Sequence, residues 1–184
     1  MGARVTAEAT PHHFTLTDRV VLEQLYNTNT KMNPPVREEA DRLAIIDGIV
    51  DGTIDIIATD HAPHHLDDKD VEYQFAAMGI TGLETSVALT LDRLVRPGIL
   101  SLESMIRMMS TRPAELVGKP SPTLQEGAEA DVTILDLERR WTVDVAAMAS
   151  KSKNSPFGGW ELTGAPHATI VGGKLRMLGM EVLA

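Results

Sequence analysis

Cysteine is absent from the sequence, which removes disulfides, zinc ribbons, iron–sulfur clusters and thiol nucleophiles and leaves only His and carboxylate side chains to hold a metal. No apolar run approaches the roughly 18 residues of a membrane span. The opening Met1-Gly2-Ala3-Arg4 has no apolar stretch of the secretory kind, so a soluble protein is expected, with the cytoplasm as its default location. Positive charge is scarce: 17 Lys and Arg face 26 Asp and Glu, and a formal charge of -9 repels phosphate backbones. A nucleic-acid surface is therefore not expected, and the partner should be a small molecule or a protein. Aromatics are few, at 4%, yet hydrophobic residues reach 43% of 184, enough for the core of one domain. Collagen-like and wholly disordered chains are excluded by the same balance.

Along the chain, Arg4 to Thr10 alternates with β-branched residues and stops at Pro11, the pattern of a strand running into a loop that holds His12 and His13. Thr17-Asp18 ahead of Val20, Val21 and Leu25 predicts a capped short helix. Pro34 and Pro35 force extended backbone after Asn33. Leu43, Ile46, Ile49 and Val50 share one helical face of Glu38 to Val50, which Asp51-Gly52 closes. Ile54 to Ala58 reads as a strand covered on both sides, as in parallel sheets. A polar loop, Asp67 to Glu72, leads to two predicted helices, Leu83 to Val95 and Leu102 to Val117. Beyond the turn-rich stretch Pro120 to Glu129 the texture becomes β. Val132 to Leu135 and Trp141 to Val143 are short strands, and His167 to Val171 with Lys174 to Met177 make a hairpin about Gly172-Gly173. The order is α/β first and β afterwards, without internal repeats.

Five of the six histidines form two clusters, His12 with His13 and His61 with His64 and His65, each placed after a predicted strand. In parallel α/β barrels such strand ends carry the active site. Spacing alone leaves solvated, hydrogen-bonded and metal-ligating roles all open. Asp60, at the end of a covered strand, would need a metal, a cation or several donors to offset desolvation, or would cap the next helix. Asn33, held by its prolines, could offer a ligand both a donor and an acceptor. Gly79 and Gly82 could bring backbone amides close to a ligand or simply lead into a helix. Met105, Met108 and Met109 read as core, and Lys151 to Asn154 as a solvated basic turn.

Five stretches together are specific: VTAEATPHHFTLTD at Val5 to Asp18, KMNPPVR at Lys31 to Arg37, DGTIDIIATDHAPH at Asp51 to His64, GITGLET at Gly79 to Thr85, and SKSKNSPFGGWELTG at Ser150 to Gly164. With them the chain resembles a class I dihydroorotase of the amidohydrolase superfamily. The resemblance implies a partial TIM (β/α) barrel, its last strands and helices in 1–119, followed by part of a small β domain in 120–184. It implies zinc as cofactor, polarising the carbonyl and supplying hydroxide, and the reversible interconversion of dihydroorotate and N-carbamoyl-L-aspartate. Residue by residue, Asp60 matches a zinc-contacting general base, and Asn33, His64, Met78 and Gly79 match substrate-binding positions. Met78 departs from the expected aromatic, so its contact would be through backbone. The family's His-x-His metal motif is absent. An inactive chain, an internal start near Gly2-Ala3-Arg4 or a cleaved product fits that absence. Self-association or pairing with another chain is expected, since strands would lack barrel neighbours. The rival readings are a non-catalytic subunit assembling with aspartate transcarbamoylase, and an allantoinase or hydantoinase relative.

Overall fold

A computed structural model describes residues 5–183 of the protein. The start of the first predicted strand at Arg4 and the Gly2-Ala3-Arg4 connection lie outside the described residues. The chain forms two compact units whose segments interleave. One runs up to Ser86 and is joined by Val143–Trp160, and the other combines Val87–Thr142 with the chain from Glu161 onward. These units do not coincide with a division after Lys119.

In the first unit, β1 (Glu8–Ala9) pairs in parallel with β2 (Ile56–Ile57), Glu8 opposite Ile56 and Ala9 opposite Ile57. The parallel pairing agrees with the unbroken apolar run of Ile54 to Ala58. Its cover is thinner than expected, for Ile57 and Ala9 are buried while Ile56 and Ala58 are half-exposed. Asp55 Oδ2 accepts the Ala7 N–H at 2.9 Å and aligns the start of the pair.

His12 and His13 do not lie in a loop. They belong to α1 (Pro11–Thr15), a single helical turn started by the Thr10 side chain, which accepts from the His13 N–H, with Pro11 at a position where a missing N–H does no harm. In α2 (Arg19–Glu23), Asp18 makes no capping bond, because its own backbone is already helical. α3 (Glu39–Asp51) ends at Gly52, whose φ of 83° provides the left-handed terminus that its sequence announces. Ile46 and Ile49 are buried, but Leu43 and Val50 are exposed, so its apolar face is narrower than the spacing implies. The polar loop after His65 contains α4 (Leu66–Lys69), and Lys69 at its end is buried. Phe157 packs edge-on against Trp160 at 5.2 Å and closes this core from the later segment.

The second unit takes in α5 (Ser86–Thr90) from Val87 onward, which widens into a π-type turn at Leu91–Val95, and then α6 (Leu102–Ile106). A second wide turn, Arg107–Thr111, leads to α7 (Arg112–Leu116). Pro113 cannot donate to the preceding turn, which gives the second widening a cause. Leu89, Leu91, Leu94, Met105 and Met108 form the buried side, while Met109 is half-buried. The four-stranded antiparallel sheet runs β3 (Val132–Thr142), β4 (Glu161–Val171), β5 (Lys174–Leu178) and β6 (Glu181–Val182) in order. The two short strands expected from Val132 onward are one strand. It is interrupted where Asp136 Oδ1 accepts the N–H groups of Glu138 and Arg139. Val171 opposite Lys174 confirms the Gly172-Gly173 hairpin, with φ of 55° and 75° at the two glycines. Thr163 N–H donates to Asp92 Oδ1 at 3.1 Å and ties β4 to the first wide turn.

Candidate active site

The TDHAPH turn leaves β2 with Asp60 in the left-handed region, φ 45°, a conformation Asp tolerates better than most residues. Asp60 is exposed, and no hydrogen bond to its carboxylate exists among the described residues. Both expectations for it are corrected: it is not desolvated within this chain, and it caps no helix, since α4 starts at Leu66 with His65 as its cap.

The histidines divide by role. His13 Nε2 faces the Pro34 carbonyl at 2.8 Å and must donate, so Nδ1 accepts from the Thr10 hydroxyl at 2.6 Å. Both ring nitrogens tie the end of β1 to the Asn33-Pro34 turn. His12 is buried with Nε2 unpartnered among the described residues, and burial first, then the neighbouring His13, lowers its pKa to about 3. It is neutral at any ordinary pH. His61 Nδ1 accepts from the Gly82 and Leu83 N–H groups at 3.2 and 3.3 Å. His64 Nε2 donates to the Met78 carbonyl at 2.9 Å. His65 accepts from Asp67.

The candidate substrate residues therefore meet in pairs. His64 touches Met78 and Gly79, whereas Asn33 and Met78, both exposed, line one small cleft of about 240 Å³ with Tyr73 and Lys31. Gly79 has φ 135°, and an added Cβ would stand 2.6 Å from the Ala62 Cβ and 3.0 Å from His64 Nε2. Its N–H is committed to the Lys31 carbonyl at 3.0 Å, so it is not the free amide that the sequence allowed. At Gly82 a Cβ would meet the Thr59 carbonyl oxygen at 2.5 Å, and the glycine is required by packing.

Sequence reasoning missed two groups. Lys69 is 4% exposed; its ammonium donates to the carbonyls of Ala77 at 2.8 Å and Gly79 at 3.1 Å, and burial, then Lys31, lowers its pKa to about 8. Asn154, read as part of a solvated turn, is buried and bonds Ala62, His64 and Gly79. For Lys69 the polar neighbours Asp67 and Asp68 hid the signal. For Asn154 the only hint was its place in the SKSKNSPFGGWELTG stretch.

The sequence profile described as amidohydrolase family matches residues 6–176. The chain belongs to that family. Among curated relatives, a dihydroorotase from Trichlorobacter lovleyi is 54% identical over 178 residues, which is 97% of this chain and 41% of the relative. A dihydroorotase from Geobacter metallireducens is 52% identical over 95% of this chain and 40% of its own length. Among solved structures, an L-hydantoinase (dihydropyrimidinase) from Arthrobacter aurescens superposes with a TM-score of 0.89 at 35% identity, covering 98% of this chain and 41% of that one. The amidohydrolase chain thus spans about two fifths of the length of these relatives. Its fold is α/β, part of an amidohydrolase-type TIM barrel followed by β-strands. No helix among the described residues is long and apolar enough to cross a membrane.

Zinc is the metal this family resemblance implies, and a stable zinc site takes about four ligands. Among the described residues no group of three or more His, Asp and Glu side chains is placed to hold a metal. His13 spends both ring nitrogens on the fold and His61 one, and Asp60 stands alone. These residues do not by themselves fit a zinc site.

Proposed function

We propose that the chain provides part of a dihydroorotase, acting in pyrimidine biosynthesis in the cytoplasm on dihydroorotate and N-carbamoyl-L-aspartate. The observation that carries this reading is identity above 50% to curated dihydroorotases over nearly the whole chain. Residues 1–119 correspond in this reading to the later part of the barrel and 120–184 to the small β domain. Asp60 is the general base and the one metal contact of this chain. Its exposed carboxylate takes a proton from the attacking water and returns it to the departing ring nitrogen, and the reverse transfer accompanies ring closure. Asn33, His64 and Met78 orient the substrate, and Gly79, with its N–H and carbonyl committed to the fold, contributes by close van der Waals approach alone. With His64 Nε2 committed to Met78, a substrate contact runs through Nδ1. Similarity to the L-hydantoinase supports a second reading, hydrolysis of a related cyclic amide, and turnover of dihydroorotate against a hydantoin separates the two.

The remaining metal ligands come from further polypeptide in this reading, so the isolated chain should hold fewer than two zinc ions and show no turnover. Elemental analysis of the chelator-treated, zinc-repleted chain checks this, and two tightly held ions per chain would overturn it.

Pairing with other polypeptide, a second copy or a partner such as aspartate transcarbamoylase, also follows from the sheet. Among the described residues β1 and β2 have only each other as ladder partners in their sheet, which leaves open edges. Leu22 and Tyr26, both exposed, add apolar surface to a cleft shared with Tyr73. Sedimentation at low micromolar concentration should show species heavier than 20.0 kDa. A compact monomer that also ignores apolar dyes would sink the idea.

A further inference from the structure

Asn154 belongs to none of the roles assigned so far, yet it is 4% exposed and makes four polar contacts within its unit. Its side-chain Nδ2 donates to the Ala62 carbonyl at 2.9 Å and the Gly79 carbonyl at 3.1 Å. Its Oδ1 accepts the His64 N–H at 3.3 Å, and its own backbone carbonyl accepts the Thr81 N–H at 3.0 Å. Each partner has one chemical sense. Carbonyls only accept and the peptide N–H only donates, so a single orientation of the amide satisfies all of them. The Gly79 carbonyl receives Lys69 Nζ as well, which fills both of its lone pairs.

The segment carrying Asn154 is itself pinned. Glu84 accepts the Ala149 and Ser150 N–H groups, one on each carboxylate oxygen at 2.9 Å, and Gln24 Nε2 donates to the Pro156 carbonyl at 2.9 Å. A side chain placed this rigidly transmits position instead of adapting to its neighbours. The two turns it joins are Ala62–His64, which follows Asp60, and Met78–Thr81, which holds the other candidate substrate contacts.

We infer that Asn154 is a positioning residue that sets the spacing between the His64 turn and the Met78–Gly79 turn, and so fixes where His64 presents its ring to substrate. The inference rests on the dihydroorotase reading for the identity of the substrate, while the coupling of the two turns stands on the hydrogen bonds alone. No other residue type reproduces the pattern. Aspartate keeps the acceptor for His64 but turns an oxygen toward two carbonyls. Alanine keeps only the backbone bond to Thr81.

The test uses the full chain and NMR. In the unaltered protein the Asn154 side-chain amide protons should exchange at least 100-fold more slowly than those of a free asparagine, and unprotected protons would overturn the inference even if every variant failed to fold. In Asn154→Asp and Asn154→Ala, the His64 Nε2–H should exchange at least 10-fold faster and lose its single tautomer, while amides of α3 and β4 stay as they were. A lowered denaturation midpoint with the His64 signature unchanged would show a merely structural residue and also overturn it. Titration with dihydroorotate separates the underlying reading. If an assembly of this chain with the further polypeptide ignores dihydroorotate while the His64 signature of the variants responds as expected, the substrate assignment falls and the positioning role stands.

Discussion

Asn in place of Asp60 should lower dihydroorotase turnover by about three orders of magnitude in an active assembly containing this chain, with little change in KM. An amide cannot take up or return the proton that ring opening and closure exchange. The substitution removes the proton carrier and the charged metal contact together but leaves the backbone undisturbed, because Asn occupies the left-handed region as readily as Asp and φ at this position is 45°. No hydrogen bond to the Asp60 carboxylate among the described residues is lost with the charge. His64→Ala and Asn33→Ala should act differently, raising KM more than they lower turnover. A lost hydrogen bond to a charged group is worth about 1.5–3 kcal/mol, or roughly 10- to 150-fold. Steady-state kinetics of the three variants ranks them. Near-normal turnover in Asp60→Asn would remove its general-base role.

Acid should destabilise the fold through His12. This imidazole is 1% exposed, and its pKa falls from 6.5 to about 3. Between those values the unfolded chain binds a proton that the folded chain refuses, so stability drops as pH falls through that window. The loss amounts to about 2–3 kcal/mol at pH 4.5 relative to pH 7.5, a large share of a typical domain's margin. His12→Leu replaces the imidazole and its unpartnered Nε2 by an apolar group of similar volume. That variant should match the unaltered chain near pH 7.5 and lose markedly less stability on acidification. Urea unfolding at both pH values measures the two slopes. Equal slopes would show that His12 is not the titrating group.

Legibility followed the range of the interactions. α3 announced itself through apolar spacing and Gly52, and the β4–β5 hairpin through Gly172-Gly173, because both signals are contained in a few adjacent residues. The turn of α1 carried its own signal in Thr10-Pro11, but five residues are too few for periodicity to show, and the histidines read as loop. The exposed Leu43 and Val50 show the reverse error, where spacing suggests a face that packing does not cover. Asp60, Asn33, His64, Met78 and Gly79 could be picked out as candidates by resemblance. How His64 meets Met78 across 14 residues, or Asn154 meets Ala62 across 92, is set by tertiary packing alone. Lys69 was hidden for the same reason, since its carbonyl partners Ala77 and Gly79 form no pattern with the acidic residues beside it.

Interleaving of the two compact units has a bearing on how the chain is made. The unit that runs up to Ser86 is completed only by Val143–Trp160, which leaves the ribosome at least 57 residues later. At ordinary elongation rates of roughly 5–20 residues per second, the delay is roughly 3–11 s. Throughout it, the His64 and Gly79 turns have been synthesised but lack the Asn154 side chain that joins them, and the Phe157 ring is missing from the core. Nascent chains stalled before residue 143 therefore present an unfinished unit to chaperones and proteases, whereas release after Trp160 permits its closure.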